Sequence, residues 1–318
     1  MPRPPAVRSA VRSVNAERLL DALAVRSPLR RPARTGPGEP LRTPDGVVLS
    51  TRYDPPRPDA ADPGLCFVVA HGFTGSWRRP DIARIAAALR GAGGVLCFDF
   101  RGHGGSTGRS TVGDLEVLDL ACVVARARAL GHDRVVTVGW SMGAAVALLH
   151  AAGSLRTPWS GAAALAAHVA ALDDAVDAVV AVSGPGRWHY RGTTAMRRAH
   201  TAFGSRLGRA VVHGALGARL TGADWDPGPE PPDAVAARVA PTPLLVVHGD
   251  ADHYFPLDHA RWLARAAGPT ATLWVEPGFG HAEAAAGPDL VARIAAWSLD
   301  AAAQRRTTGD PGSARMRA

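Results

Sequence analysis

One serine stands between two glycines in Gly139-Trp140-Ser141-Met142-Gly143, where the apolar run from Arg134 to Gly139 gives way to a helical pattern beginning at Met142. The spacing G-x-S-x-G at a strand-to-helix corner leaves no room for a side chain at either glycine. It lifts a hydroxyl to the end of the strand, beside helix N–H groups that favour negative charge. That is the equipment of a nucleophile for acyl transfer. A serine hydroxyl is weakly nucleophilic at neutral pH, so a base must lie within hydrogen-bond reach and a third group must orient that base. His281 ends the Gly-rich stretch Gly278-Phe279-Gly280-His281 after the last apolar run and is placed to be the base. Asp250 and Asp252 both lie in the loop that follows Pro243 to Gly249, and either is placed to be the acid.

Residues so far apart in the chain need a scaffold that gathers loops at one edge. Short apolar runs supply it: 65–70, 94–100, 134–139, 177–183, 243–249 and 271–276. They do not alternate with polar residues, which predicts strands covered on both faces. Amphipathic helices expected near 81–90, 112–130, after Ser141 and at 284–297 separate most of them, so the sheet is predominantly parallel. Ligands of such sheets bind beyond the carboxyl ends of the strands. A hairpin turning at Asp45-Gly46 opens the fold. Residues 153–176 form an Ala-rich insertion expected to be helical, and 184–240 carry no strand pattern and are read as a cap.

Four motifs in one order, HGFTGS (71–76), DFRGHGGS (99–106), GWSMG (139–143) and HGDADHYFP (248–256) with GFGH (278–281), resemble the α/β-hydrolase fold of serine hydrolases over residues 41–299. The resemblance implies an α/β fold with a mostly parallel eight-stranded sheet flanked by helices and a small helical cap. It implies a triad in the order Ser141, Asp252, His281, with Pro256 selecting Asp252 over Asp250. It also implies an oxyanion hole made by the backbone N–H groups of Phe73 and Met142. His71 is expected to be structural, and DFRGHGGS to be a turn scaffold, not a metal site. Serine at the elbow argues against dehalogenase or epoxide-hydrolase chemistry. Among relatives, lysophospholipase-like and monoglyceride-lipase-like esterases are most similar in their motifs. Thioesterases, peptidases, acyltransferases and a non-catalytic binding scaffold share the pattern.

The organisation expected is a basic N-terminal extension (1–40), a first core part (41–183), the cap (184–240), a second core part (241–300) and a basic flexible tail (301–318). Aromatic residues Trp140, Trp188 and Tyr190 are the candidates for substrate contact, with Phe203 and Trp225 also in the cap. The formal charge of +8 comes from segments 1–38 and 301–318, leaving 39–300 near −1. There is no basic stripe of the kind nucleic acid requires, although the Arg-rich ends could touch a membrane surface. All 36 basic residues are Arg, as coding bias in a GC-rich genome would produce. Three cysteines, Cys66, Cys97 and Cys122, sit in apolar runs or on a helix and read as reduced, buried hydrophobes. No apolar run is long enough to span a bilayer. A cofactor-independent cytoplasmic enzyme acting on a small ester is the expectation.

Overall fold

The computed structural model describes residues 39–154, 172–222, 225 and 228–309. The N-terminal extension, most of the Ala-rich insertion and residues 310–318 lie outside them. Eight strands form one sheet: β1 (Glu39–Arg42), β2 (Val48–Asp54), β3 (Leu65–Ala70), β4 (Gly94–Phe98), β5 (Arg134–Trp140), β6 (Ala178–Val182), β7 (Leu244–Gly249) and β8 (Ala271–Glu276). Their order is β1-β2-β4-β3-β5-β6-β7-β8. β1 and β2 pair antiparallel, β2 pairs antiparallel with β4, and every later pairing is parallel. The six apolar runs therefore become the six parallel strands.

Alternate residues of each central strand enter different layers. Cys66, Val68 and Ala70 join the layer covered by α2 (Glu116–Ala129), α3 (Met142–Ala151) and α7 (Asp258–Ala267). Leu65, Phe67 and Val69 join the layer under α1 (Pro80–Leu89) and α9 (Pro288–Gly309). Each of Leu65, Phe67, Val68 and Val69, withdrawn from water, contributes about 1.5–3 kcal/mol. The edge strand β8 is covered less completely, and Val275 is exposed.

Two expected boundaries move. α9 continues to Gly309, so residues 301–309 extend a helix where a flexible tail was expected. Ala301 and Ala302 are buried in its layer, and no glycine or proline interrupts the chain before Gly309. The cap consists of α4 (Thr194–Gly204) and α5 (Arg206–Leu216), joined at Ser205, whose hydroxyl accepts from Gly208 N–H at 2.9 Å. Residues 232–239 instead return to the core. There α6 (Pro232–Val235) and a following 3-10 turn bury Val235, Ala236 and Val239 in the layer containing α3 and α7. The cap is anchored by a bridge between Ser110 and Leu220 and by Trp225 Nε1–H donating to Thr111 O at 2.7 Å. Buried Glu116 holds that anchoring loop by accepting from Ser110 and Thr111 hydroxyls and from the N–H groups of Thr111 and Gly113. α8 (Ala282–Ala285) is a single turn after β8.

The DFRGHGGS loop bonds most of its polar groups to the protein, and His103 Nε2 is buried without a hydrogen-bond partner among the described residues. Asp99 accepts from the N–H groups of Trp77 and Gly105, and His103 Nδ1 pairs with Arg101 O. Arg101 reaches Asp119 at 2.7 Å and Asp45 at 2.9 Å, tying this loop to α2 and to the first hairpin. Asp119 is fully buried. Removing one partner of a buried pair strands the other charge, which costs ~3–5 kcal/mol. Arg101→Met should lower the unfolding free energy by about that amount in urea titrations followed by circular dichroism. The double variant with Asp119→Leu should recover much of the loss.

Candidate active site

Ser141 sits at the corner between β5 and α3 with φ 50° and ψ −113°, a backbone conformation that costs a non-glycine residue ~1–3 kcal/mol. The corner survives because its flanks are glycines. A Cβ on Gly139 would lie well inside contact distance of Gly143 O, and one on Gly143 would strike Ala70 O. Ser141 N–H donates to Val182 O at 2.9 Å, locking the turn to β6. A serine at a helix N-cap ordinarily bonds the exposed N–H groups of the first turn. Here the hydroxyl makes no such bond. It pairs with His281 Nε2 at 2.9 Å.

His281 precedes α8, and its Nδ1 lies 2.7 Å from Asp252 Oδ2. Ser183 Oγ accepts from Ala282 N–H at 3.1 Å and fixes the backbone just past the imidazole. The other Asp252 oxygen, Oδ1, accepts from the N–H groups of Tyr254 at 2.8 Å and Phe255 at 3.1 Å. Burial alone would raise this carboxyl. The hydrogen bond and charge of His281 and the N–H of Phe255 outweigh it, holding the group below the usual carboxylate range. Asp250 does different work, accepting from Gly278 N–H at 2.6 Å to join the loops after β7 and β8. Of the two candidate acids, the structure brings only Asp252 to His281.

The loop after β3 is held by His71, expected to be structural, and by Glu283, which the sequence did not single out. Phe100 N–H donates to His71 Nε2 at 3.1 Å, so His71 carries its proton on Nδ1 and donates it to Gly72 O at 2.7 Å. Burial lowers the His71 pKa to about 4, keeping it neutral. Gly75 N–H also donates to Gly72 O, and Gly72 N–H donates to Glu283 Oε1 at 3.0 Å. Because carbonyl and N–H point oppositely across a trans peptide, fixing Gly72 O aims the Phe73 N–H the other way. Neither that N–H nor the Met142 N–H has an acceptor among the described residues. Glu283 is buried, and burial pushes its carboxyl pKa up. Its one signal in the sequence is an acid two residues after His281, in an otherwise small and apolar turn.

Above these groups lies a cavity of about 500 Å³. Phe73, Ser141, Met142 and His281 face it from the sheet side, and Trp188 and Tyr190 from the cap side. Trp140 does not reach it. This side chain is fully buried in the layer beneath α1 and α9, because residues adjacent along a strand point to opposite faces. Phe73 packs edge-on against Phe203, and Trp188 against Trp225. The cavity wall is thus aromatic.

The family described as "Alpha/beta hydrolase family" matches residues 67–294. Similar solved structures include the Pyrococcus furiosus esterase Pf2001, 18% identical, covering 85% of this chain and 91% of that one, with TM-score 0.55. Est1E from Butyrivibrio proteoclasticus, solved with ferulic acid bound, is 20% identical, covering 84% and 100%, with TM-score 0.54. An esterase domain of a Rhodothermus marinus protein is 20% identical, covering 82% and 97%, with TM-score 0.54. At these identities the likeness is one of fold. No curated protein matches the chain in sequence.

Two outcomes follow from the geometry. Gly143→Ala pushes the start of α3 away from Ala70 and displaces the Met142 N–H. The rate of Ser141 modification by a fluorophosphonate should fall at least about 10²-fold, the size of losing one oxyanion donor. Asp252, with its folded pKa depressed, adds stability that is present above the ordinary value of 3.8 and lost as pH falls through the lower folded value. Asp252→Asn should therefore be less stable than the native chain at pH 7. The gap in urea unfolding should close as the pH drops below 3.8.

Proposed function

We propose that this chain, which belongs to the alpha/beta hydrolase family, is a serine hydrolase that cleaves carboxylic esters through an acyl-enzyme on Ser141. The observation carrying the reading is the continuous hydrogen-bond chain Ser141–His281–Asp252, 2.9 and 2.7 Å, opening onto an aromatic cavity.

In this reading Ser141 Oγ attacks the ester carbonyl while His281 Nε2 takes its proton. The carbonyl oxygen becomes an oxyanion facing the N–H groups of Phe73 and Met142. His281 then returns the proton to the departing alcohol oxygen, leaving the acyl group on Ser141. Water attacks the acyl-enzyme with His281 again as base, and the acid product leaves. Asp252 keeps its charge throughout, holding the Nδ1–H tautomer and stabilising the imidazolium. Trp188 and Tyr190 contact the substrate; the oxyanion loop depends on His71 and Glu283 for its orientation.

Esters are favoured over thioesters, amides and acyl transfer because the similar folds carry esterase names, one with an aromatic acid bound. An aromatic wall fits a lipid-like or aryl group equally well. The three cysteines are free and buried, and burial pushes Cys66 and Cys122 up to about 12. Among the described residues no helix is long and apolar enough to cross a membrane.

A fluorophosphonate probe should label the native protein and leave Ser141→Ala unlabelled. On p-nitrophenyl esters of increasing acyl length, Asp252→Asn should lose about 10⁴-fold in kcat. A folded native chain that is neither labelled nor active on any ester of the series sinks the reading and favours a binding scaffold.

A further inference from the structure

Within the cap, residues 184–222 are charged in one sense, while Asp224, Asp226, Glu230 and Asp233 follow in 223–240. From Gly184 to Gly222 the sequence holds seven arginines and three histidines and no aspartate or glutamate. Arg187 is paired with Asp233 at 2.7 Å and lies over Trp262. Arg197, Arg209 and Arg219 are turned onto backbone carbonyls of Gly192, Phe203 and Gly108, which spend donors without neutralising charge. Arg191, Arg198 and Arg206 have no carboxylate partner among the described residues. Of these three, Arg191 alone lines the cavity above Ser141.

The surroundings of Arg191 are those of a recognition group. Its backbone is held by Arg197, whose guanidinium donates to Arg191 O at 3.2 Å. Its charge is felt by His200, on the same cavity wall, whose basicity is lowered by burial and then by Arg191. His200 has its Nε2–H committed to Tyr190 O at 3.1 Å. His189, also lining the cavity, packs edge-on to Trp225 and lies 6.3 Å from the His200 ring. Among the described residues the cavity lining includes Arg187, Arg191, His189 and His200 and no carboxylate. Arg191 is a solvent-exposed residue of the cavity lining, and a guanidinium there is a planar fork of donors matched to a carboxylate or phosphate. Low-dielectric walls strengthen the field it presents to an entering anion.

We infer that the substrate is an anionic ester: a carboxylate or phosphate, on the part of the molecule that enters the cap, is bound by Arg191 while the ester carbonyl sits at Ser141. The inference rests on the esterase reading above and narrows its substrate class. The reaction is unchanged; the anion takes no part in bond making and fixes orientation. Leu207, exposed beside Arg206 on α5, is a single apolar side chain and too little for a surface that inserts into lipid.

The test compares kcat/KM within two matched pairs. One is p-nitrophenyl hemiesters of dicarboxylic acids of increasing length against their methyl-capped counterparts. The other is a monoacylglycerol against the corresponding lysophosphatidic acid, both below micelle-forming concentration. The charged-to-neutral ratio should exceed one in at least one pair and fall about tenfold or more in Arg191→Glu, as expected for juxtaposing like charges. Arg191→Lys should restore part of it. Arg198→Glu, outside the cavity, should change it less than about twofold, and raising salt from about 50 to about 500 mM should lower it. Preference in the first pair identifies a soluble carboxylate as the source, and preference in the second identifies a lipid phosphate. A ratio at or below one in both pairs, or one that Arg191→Glu leaves intact, overturns the inference while neutral-ester turnover keeps the esterase reading standing. Absence of turnover together with an unlabelled Ser141 removes both.

Discussion

The site depends on a steric clearance. Ser141 can hold φ near 50° only because backbone from three elements closes around it where Gly139 and Gly143 carry no Cβ. The constraint is mutual. Ala70, at the end of β3, comes close enough to Gly143 to place the β3 loop beside the start of α3. The parallel pairing of β3 with β5, from Leu65 opposite Arg134 to Ala70 opposite Gly139, brings the two strand ends level. Clearance at the glycines and register of the strands are therefore one arrangement, and the sheet's hydrophobic layers hold it.

Polar groups at the carboxyl edge of the sheet make each other affordable. Asp252 loses water on burial but gains two N–H groups and an imidazole, and the balance leaves it ionised. His71 and Glu283 make the same kind of exchange at the β3 loop, each giving up solvent for a backbone partner. The result is a set of loops whose orientation is fixed before any ligand arrives, which is what electrostatic stabilisation of a developing charge requires.

The scaffold was legible because buried parallel strands are continuous apolar runs: 65–70 is a strand with those same limits, and 271–276 keeps its limits as a partly exposed edge strand. The elbow was legible because its geometry permits only glycine at two positions. Asp252 needed the family pattern, since two aspartates two residues apart satisfy every local criterion, and only the fold shows that Asp250 faces the loop after β8. Trp140 was misassigned because a position next to the nucleophile suggests contact, whereas strand alternation sends its side chain to the other face. Glu283 was missed because its partner, Gly72, is 211 residues away and glycine carries no signal of being a donor. The return of residues 232–239 to the core was hidden by a Pro-rich approach that reads as loop, although Val235 and Val239 supply the apolar anchors.

Charge follows the same division between core and cap. The cap from 184 to 222 carries formal +7, so the remainder of 39–300 carries about −8. Many of those acids are turned inward: Asp99, Asp119, Glu116 and Glu283 are buried against N–H groups, hydroxyls or Arg101. Such acids have their oxygens committed within the core, Asp119 to a guanidinium and Glu116 and Glu283 to N–H or hydroxyl donors. The chain's net charge consequently says little about what approaches the site, because charge is divided unevenly between the core and residues 184–222. Residues 184–222, which include the cavity-lining Arg187 and Arg191, keep a formal excess of positive charge.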